Sequence, residues 1–190
     1  RLRTNFPDTG FWSPTIHTDA SGRATLQIAM PDSLTTWRLT AIGATNETLV
    51  GYVTAAVVSV KPFHVEPAFP RFLTSGDRVD LAAGVFNATA ADVNANVTLT
   101  GTALQLNGAA QQPVTVPAHG STLVRWDAVV GAATSAAITV TAAGGALTDA
   151  VKINLPVITG GYEQSVRQTG DLSGGNATAQ LNLPPQAITG

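Results

Sequence analysis

The chain has 190 residues, a formal net charge of -2 and only 12% charged residues, without the basic run that nucleic-acid binding requires. It contains no cysteine, which excludes disulfides, thiolate metal sites, a cysteine nucleophile and an internal Cys–Gln thioester. No apolar run approaches the ~20 residues of a membrane-spanning helix, and the opening RLRTNF lacks a signal peptide's apolar core, so we expect any export signal outside these residues.

Short runs of strand-forming residues, separated by Gly, Asn, Asp and Pro, predict antiparallel β-structure along the chain. The first predicted strand is RATLQIAM at residues 23–30, which follows a TDASG turn and has alternating side chains with a period of two. The runs TTWRLTAIG and LVGYVTAAVVSVK predict two more strands. We expect these three to form a consecutive antiparallel set.

A proline-rich segment, KPFHVEPAFPRFL, follows at residues 61–73. Its three prolines predict a break in ladder hydrogen bonding and a domain junction, because proline lacks the N–H donor and restricts the residue before it. Six further strands are then predicted at the spacing of a sandwich: DRVDLAAGVFN, DVNANVTLTG, QQPVTVP, STLVRWDAVV, SAAITVTAAGG and DAVKINLPV. In the second of them, the residues expected to face the core are Val93, Ala95, Val97 and Leu99.

We therefore predict an all-β chain of antiparallel β-sandwich domains in tandem, similar to fibronectin-type or immunoglobulin-type modules. The predicted domains cover residues 1–62, 63–156 and 157–190. The last holds only two candidate strands, Tyr162–Thr169 and Ala177–Leu183, and two strands rarely form a stable unit alone.

An ordered set of residues near the start resembles the α2-macroglobulin and complement-type family. In that family, the segment after the bait or activation region carries an aromatic pair, then a turn with a strand, then a Pro-Asp-Ser/Asn-(Leu/Ile)-Thr-Thr-Trp run. The similarity continues through residues 61–87, which end in Phe86 and Asn87. The motif positions in this sequence are Phe11, Trp12, Pro31, Asp32, Ser33, Leu34, Thr35, Thr36 and Trp37.

These motif residues also have a structural interpretation. Pro31, Asp32 and Ser33 are expected to end one strand and turn the chain, with Asp or Ser bonding nearby backbone amides. Trp37 is expected to be a buried core residue, whose truncation to Ala would cost about 3 to 5 kcal/mol.

The resemblance implies a structural segment of a bacterial, broad-spectrum protease inhibitor, with no enzymatic activity, cofactor or metal. It implies macroglobulin-like domains at 1–62 (after the bait region) and 63–156, and at 157–190 the first strands of a CUB domain, which the thioester domain interrupts in this family. The implied partners are target proteases and the bait region, CUB and thioester domains of the same chain. We expect an exported protein of the periplasm or cell envelope, with no nucleic-acid partner and no membrane insertion by this segment.

In this family, cleavage of the bait region triggers a rearrangement that traps the protease. Residues 1 to about 20 would emerge from the bait side, and we expect them to move or fray. Hinges concentrate at the ends of elements and in connecting segments. The candidate hinge residues are Lys61, Pro62, Phe63, Pro67, Phe69, Pro70 and Phe72.

Other candidate sites are weaker. Tyr162-Glu163-Gln164 resembles the thioester motif only in its Glu-Gln pair, because tyrosine stands where the cysteine is needed. The isolated His17, His64 and His119 have no second ligand at metal-binding spacing, and no Ser-His-Asp grouping or carboxylate pair points to an enzyme. The four glycosylation-type Asn-X-Thr triplets are interpreted as turn and solvent-face residues; they begin at Asn46, Asn87, Asn96 and Asn176.

Two other functions remain open at this point. The aromatic residues could form a carbohydrate platform, which would make the chain an immunoglobulin-like adhesion or carbohydrate-binding module of a cell-surface protein. Core or interdomain packing is the simpler interpretation of these residues. A complement-like opsonin would share the fold and differ in its partner surface.

Overall fold

The computed structural model describes residues 1–160 and, beyond them, Ser165, Arg167 and Gly174. The two candidate strands and the Glu-Gln motif predicted after residue 160 lie outside these residues. Twelve strands form the regular structure of the described part, which contains no helix that could cross a membrane. They are β1 (Leu2–Arg3), β2 (Thr36–Ala44), β3 (Val50–Val58), β4 (Phe63–Ala68), β5 (Leu73–Thr74), β6 (Arg78–Asn87), β7 (Val93–Gly101), β8 (Leu104–Leu106), β9 (Gln111–Val116), β10 (Gly120–Val130), β11 (Ser135–Gly144) and β12 (Leu147–Ile158).

Two facing sheets make a β-sandwich from β4 to β12. One sheet has the strand order β1-β12-β11-β7-β9, and the short β5 also pairs with β12. The other has the order β4-β6-β10-β8. The predicted all-β sandwich is therefore confirmed, and β12 continues to Ile158, two residues past the predicted boundary at 156.

The core of this sandwich follows the alternation in the sequence. All four residues predicted to face inward on β7 are buried, from Val93 to Leu99. On β10, Val124, Trp126, Ala128 and Val130 are buried in the same way. Apolar side chains at every second position thus bring both inner faces together, which excludes water from the space between the sheets.

Two predictions about the first half of the chain are wrong. Residues 23–30 form no strand: the TDASG turn is present, with the Asp19 carboxylate accepting the backbone N–H groups of Ser21 and Arg23, but no described strand pairs with the segment that follows. The proline-rich segment does not break the ladder at residues 63–68, which form β4 and pair with β6. Proline is tolerated there because β4 is an edge strand, where one side of the backbone has no ladder partner.

The hairpin of β2 and β3 stands apart from both sheets. Its two strands pair antiparallel from Thr36 with Val58 to Ala44 with Val50. Apart from the half-buried Trp37, every residue of the two strands is exposed, and Tyr52 is 81% exposed. A two-stranded hairpin with apolar residues on both faces lacks, within the described residues, the packing that such a unit needs for stability.

Candidate functional site

A buried carboxylate lies where the N-terminal segment meets the sandwich. Asp149, near the start of β12, is 2% exposed. It accepts hydrogen bonds from the Arg3 guanidinium, at 2.7 Å from Nη2, and from the Lys61 ammonium, at 2.6 Å. The backbone N–H of Val65 on β4 donates to the same carboxylate at 3.0 Å. We call Arg3, Lys61 and Asp149 the clasp.

Arg3 connects the two sheets at this edge. Its Nε and Nη2 both donate to the Asp149 carboxylate, and Nη2 also donates to the carbonyl of Val65 at 2.7 Å. Asp149 on β12 and Arg3 on β1 thus satisfy both backbone polar groups of one residue on β4. A planar guanidinium suits this role, because it donates in several fixed directions at once.

Asp32, from the family motif, fixes the chain just beyond Arg3. Its carboxylate accepts the backbone N–H groups of Thr4 and Asn5 at 2.9 and 3.0 Å, and it pairs with Arg1 at 2.8 Å. Its own backbone N–H donates to the carbonyl of Asn5. Asp32 thus bonds backbone amides, but the prediction that these amides lie nearby in sequence is wrong, because they are 28 and 27 residues away. We call residues 1–5 the strap.

The electrostatics of the site favour a charged Asp149. Burial alone would raise the pKa of its carboxyl group, but hydrogen bonds from Arg3, Lys61 and the Val65 N–H outweigh that effect, so its pKa is lowered. Hydrogen bonds from the Thr4 and Asn5 amides likewise lower the pKa of Asp32. The site therefore holds fixed charges in place, and it offers no neutral carboxylic acid for proton transfer near neutral pH.

The strap does not fray in this structure. Arg3 is buried, and Leu2 and Arg3 pair with Ala150 and Val151 of β12 as a parallel edge strand. Residues 1–5 are therefore docked in this structure, and movement of residues 1 to about 20 after bait cleavage stays a prediction. From the sequence, RLRTNF was considered only as a possible signal peptide, and neither Arg3 nor Asp149 was identified as a site residue.

The other motif residues lie beside the strap and do not converge on a pocket. Pro31 is buried, while Ser33, Leu34 and Trp37 are half-buried. The motif aromatics Phe11 and Trp12 are exposed, Trp12 by 80%, and Thr35 and Thr36 are exposed as well.

Trp37 packs at the base of the hairpin. A Cβ atom placed on Gly10 would lie 3.1 Å from Pro31 Cγ and 3.2 Å from Trp37 Cζ3, so these three residues are in close contact. The indole Nε1 is buried and has no hydrogen-bond partner among the residues the structure describes. Trp37 is thus a packing residue, although less buried than predicted.

The candidate hinge residues divide between the junction and the sandwich. Phe63 is buried in the core, Pro67 lies in β4 opposite Ala83, and Phe69 packs against the core. Pro62 and Phe72 are exposed, as is Pro70. Of the seven candidate hinge residues, Lys61 and Pro62 alone precede β4, the first long strand of the sandwich. A hinge is therefore best placed at these two residues, and it stays a prediction.

The three histidines lie on separate elements: His17 and His119 are exposed, and His64 stacks on Phe86 with its ring centroid 5.1 Å away. No group of three or more metal-ligating side chains occurs in the described part of the chain.

Asn87 is buried, and its amide donates to three backbone carbonyls while its side-chain oxygen accepts from Thr89. It is a structural residue of the β6–β7 turn and is not accessible for glycosylation in this fold.

Comparisons with known proteins agree with this architecture. The model of the alpha-2-macroglobulin family matches residues 9–99. An alpha-2-macroglobulin of Thermotoga maritima is 30% identical over 191 residues, which cover 99% of this chain and 12% of that protein. An alpha-2-macroglobulin homolog of Deinococcus radiodurans is 30% identical over 180 residues, covering 90% of this chain and 17% of that protein. The chain thus spans less than a fifth of these curated relatives.

Solved structures show the same fold at lower identity. Trypsin-activated alpha-2-macroglobulin from Escherichia coli has a TM-score of 0.66 and 21% identity, covering 74% of this chain and 10% of that one. A mutant of Salmonella alpha-2-macroglobulin has a TM-score of 0.61 and 22% identity, covering 76% of this chain and 10% of that one.

Proposed function

Because the chain belongs to the alpha-2-macroglobulin family, we propose that it is a structural segment of a longer bacterial protease inhibitor, which traps proteases after cleavage of a bait region upstream of residue 1. The chain has no catalytic role in this proposal. It connects the bait side to the domains that follow. Its partners are target proteases, reached through the whole protein, and neighbouring domains of the same protein.

The docked strap is the observation that carries this proposal. A force on the chain before residue 1 acts on the strap, whose buried Arg3 is ion-paired with Asp149 on β12. Displacement of the strap therefore reaches the sandwich directly through a buried contact. One solved structure of the same fold is a trypsin-activated alpha-2-macroglobulin, which is consistent with the proposed inhibitor function.

The test uses the full-length protein, mixed with a broad-specificity protease such as trypsin. We expect residual activity on a large protein substrate to fall while activity on a small peptide substrate persists, because a trapped protease keeps its active site but is shielded from large molecules. The small-substrate rate is the internal control for protease that is simply inactivated. If the full-length protein stays uncleaved and neither activity changes, the inhibitor proposal is wrong.

Cell fractionation tests the accompanying proposal that the protein is exported to the periplasm or cell envelope.

We also propose that residues 1–62 are the post-bait part of a macroglobulin-like domain, whose remaining strands lie elsewhere in the longer protein. The support is the exposed hairpin: Ile42, Tyr52 and Val58 lie toward one face, Leu39 and Val53 toward the other, and all five are exposed. This chain spans only 12% and 17% of two curated relatives, so a longer protein of that kind has many further residues that could cover the two faces of the hairpin.

Lysine substitutions in the full-length protein test this second proposal. Val53→Lys and Tyr52→Lys each place a charge on one face of the hairpin, and at least one should lower the melting temperature and soluble yield, because an unpaired buried charge is costly. Gln111→Lys on the exposed edge strand β9 is the control and should change neither. If both hairpin variants behave like the control, the hairpin is a free surface element.

The rival adhesion or carbohydrate-binding function finds no support in the described residues. The exposed aromatic side chains are distributed over segments before, within and after the hairpin: Phe6, Phe11, Trp12, Tyr52 and Phe72.

A further inference from the structure

The clasp brings together two positions that flank one long stretch of chain. Arg3 comes just before residues 4–60, and Lys61 comes just after them. Both side chains end on the same carboxylate, with Arg3 Nη2 on Asp149 Oδ2 and Lys61 Nζ on Oδ1. The whole stretch, including the hairpin, is therefore attached to β12 at both of its ends through one side chain.

We propose that Asp149 is the common anchor that holds the strap and the Lys61 junction on the sandwich, so that removing its charge releases both while the sandwich stays folded. This device concerns how residues 1–62 are attached. It is independent of whether the longer protein traps proteases.

Backbone pairing is too limited to hold the strap without the clasp. β1 contains only two residues, and its parallel pairing covers Ala150 and Val151 alone. Leu2, Thr4 and Asn5 are exposed, so the strap buries little apolar surface. What remains is the Arg3 guanidinium, which is buried and paired with Asp149, and the Asp32 carboxylate, which is bound to two strap amides.

The sandwich itself depends on different contacts. Its core is made of apolar side chains from β4, β6, β7 and β9 to β12, and β4 keeps its ladder with β6 whatever happens at Asp149. The neighbouring charges are few. Arg3 and Lys61 contact Asp149 directly, while the Asp32 carboxylate binds the strap amides and the Asp32 backbone carbonyl accepts a hydrogen bond from Arg3 Nη1. Loss of the clasp is therefore expected to open the strap and the junction locally, which is a common form of sub-global unfolding.

Hydrogen exchange on the intact, uncleaved full-length protein tests this inference. The variant is Asp149→Asn, which keeps the size of the side chain and removes its charge. We expect exchange in peptides covering residues 1–10, and at the Val65 amide that donates to Asp149, to accelerate by about 100-fold, because an ion-paired Arg3 loses its buried counter-ion. Peptides covering β7 should stay protected from exchange, because the sandwich stays folded. The control is Asp127→Asn, which removes the carboxylate of the exposed ion pair with Arg78 and should alter none of these peptides.

A second variant covers the case in which Asp149→Asn unfolds the sandwich. Arg3→Lys leaves Asp149 paired with Lys61 and the Val65 N–H, but one ammonium cannot make the several fixed contacts of the guanidinium. We expect exchange to accelerate by about tenfold in residues 1–10 only. Unchanged exchange of the strap in Asp149→Asn overturns the proposal. If that variant unfolds throughout, unchanged strap exchange in Arg3→Lys overturns it. Because no protease is present, neither result depends on the proposed inhibitor function.

Discussion

Replacing Trp126 with alanine is expected to lower the free energy of unfolding of the chain by about 3 to 5 kcal/mol, the usual cost of emptying a large aromatic site in a core. Trp126 is 3% exposed on the central strand β10, directly opposite Leu81 of β6. Its indole N–H donates to the carbonyl of Ala110 at 3.0 Å, so the substitution also leaves that carbonyl without this partner. Chemical denaturation of the chain measures the loss.

Leu123→Ala is the matched control for this prediction. Leu123 lies on the same strand but on the opposite face, where it is 54% exposed. Its truncation removes apolar surface that is already partly in water, so we expect a change within about 0.5 kcal/mol. Similar losses in the two variants would mean that β10 does not separate a core face from a solvent face as described.

The sandwich could be predicted from sequence because each of its long strands carries its own pattern. Alternation in Val93, Ala95, Val97 and Leu99 identified both the strand and its buried face, and the structure confirms both. Residues 23–30 have the same alternation and form no strand. A periodic pattern defines which side chains share a face, but a strand also needs a neighbouring backbone to pair with, which a local pattern does not reveal.

The proline-rich segment shows a second limit of local reasoning. Pro67 cannot donate a ladder hydrogen bond, which suggested a break in the sheet. β4 pairs on one side only, with β6, so a missing donor on its free side costs nothing. Whether a strand lies at an edge is decided by the whole topology, and no residue near Pro67 encodes it.

The clasp could have been suspected from one of its residues. Asp149 stands at the same phase of β12 as the buried Val151, so a charged residue occupies a core-facing position. Such a residue needs a partner of opposite charge. The partner could not be identified, because Arg3 is 146 residues away in sequence and Lys61 is 88. The sequence also predicted that Asp32 accepts hydrogen bonds from backbone amides. It does, but the amides are those of Thr4 and Asn5 rather than the neighbouring ones that were expected.

At neutral pH, Asp149→Asn is expected to lower the free energy of unfolding by about 3 kcal/mol, because the strap loses the buried ion pair that holds it on the sandwich. The size of this loss should depend on pH. The native-state pKa of Asp149 lies below its ordinary value of 3.8, since the bonds from Arg3, Lys61 and Val65 outweigh the effect of burial. A carboxyl group with a lowered native-state pKa stabilises the fold above its unfolded-state pKa, and this contribution is lost as the pH falls through the native-state value.

The difference between the unmodified chain and Asp149→Asn should therefore be constant from neutral pH down to about pH 5, and shrink progressively below pH 4. In that range the protonated carboxyl group comes to resemble the neutral amide. The strap amides also lower the pKa of Asp32, and Asp32 loses these bonds when the strap is released, so the difference between the two curves reports both carboxyl groups of the strap site. Urea denaturation at a series of pH values provides both curves. A difference that stays constant down to pH 2 would show that the charge on Asp149 does not stabilise the fold and that the asparagine variant loses stability through packing alone.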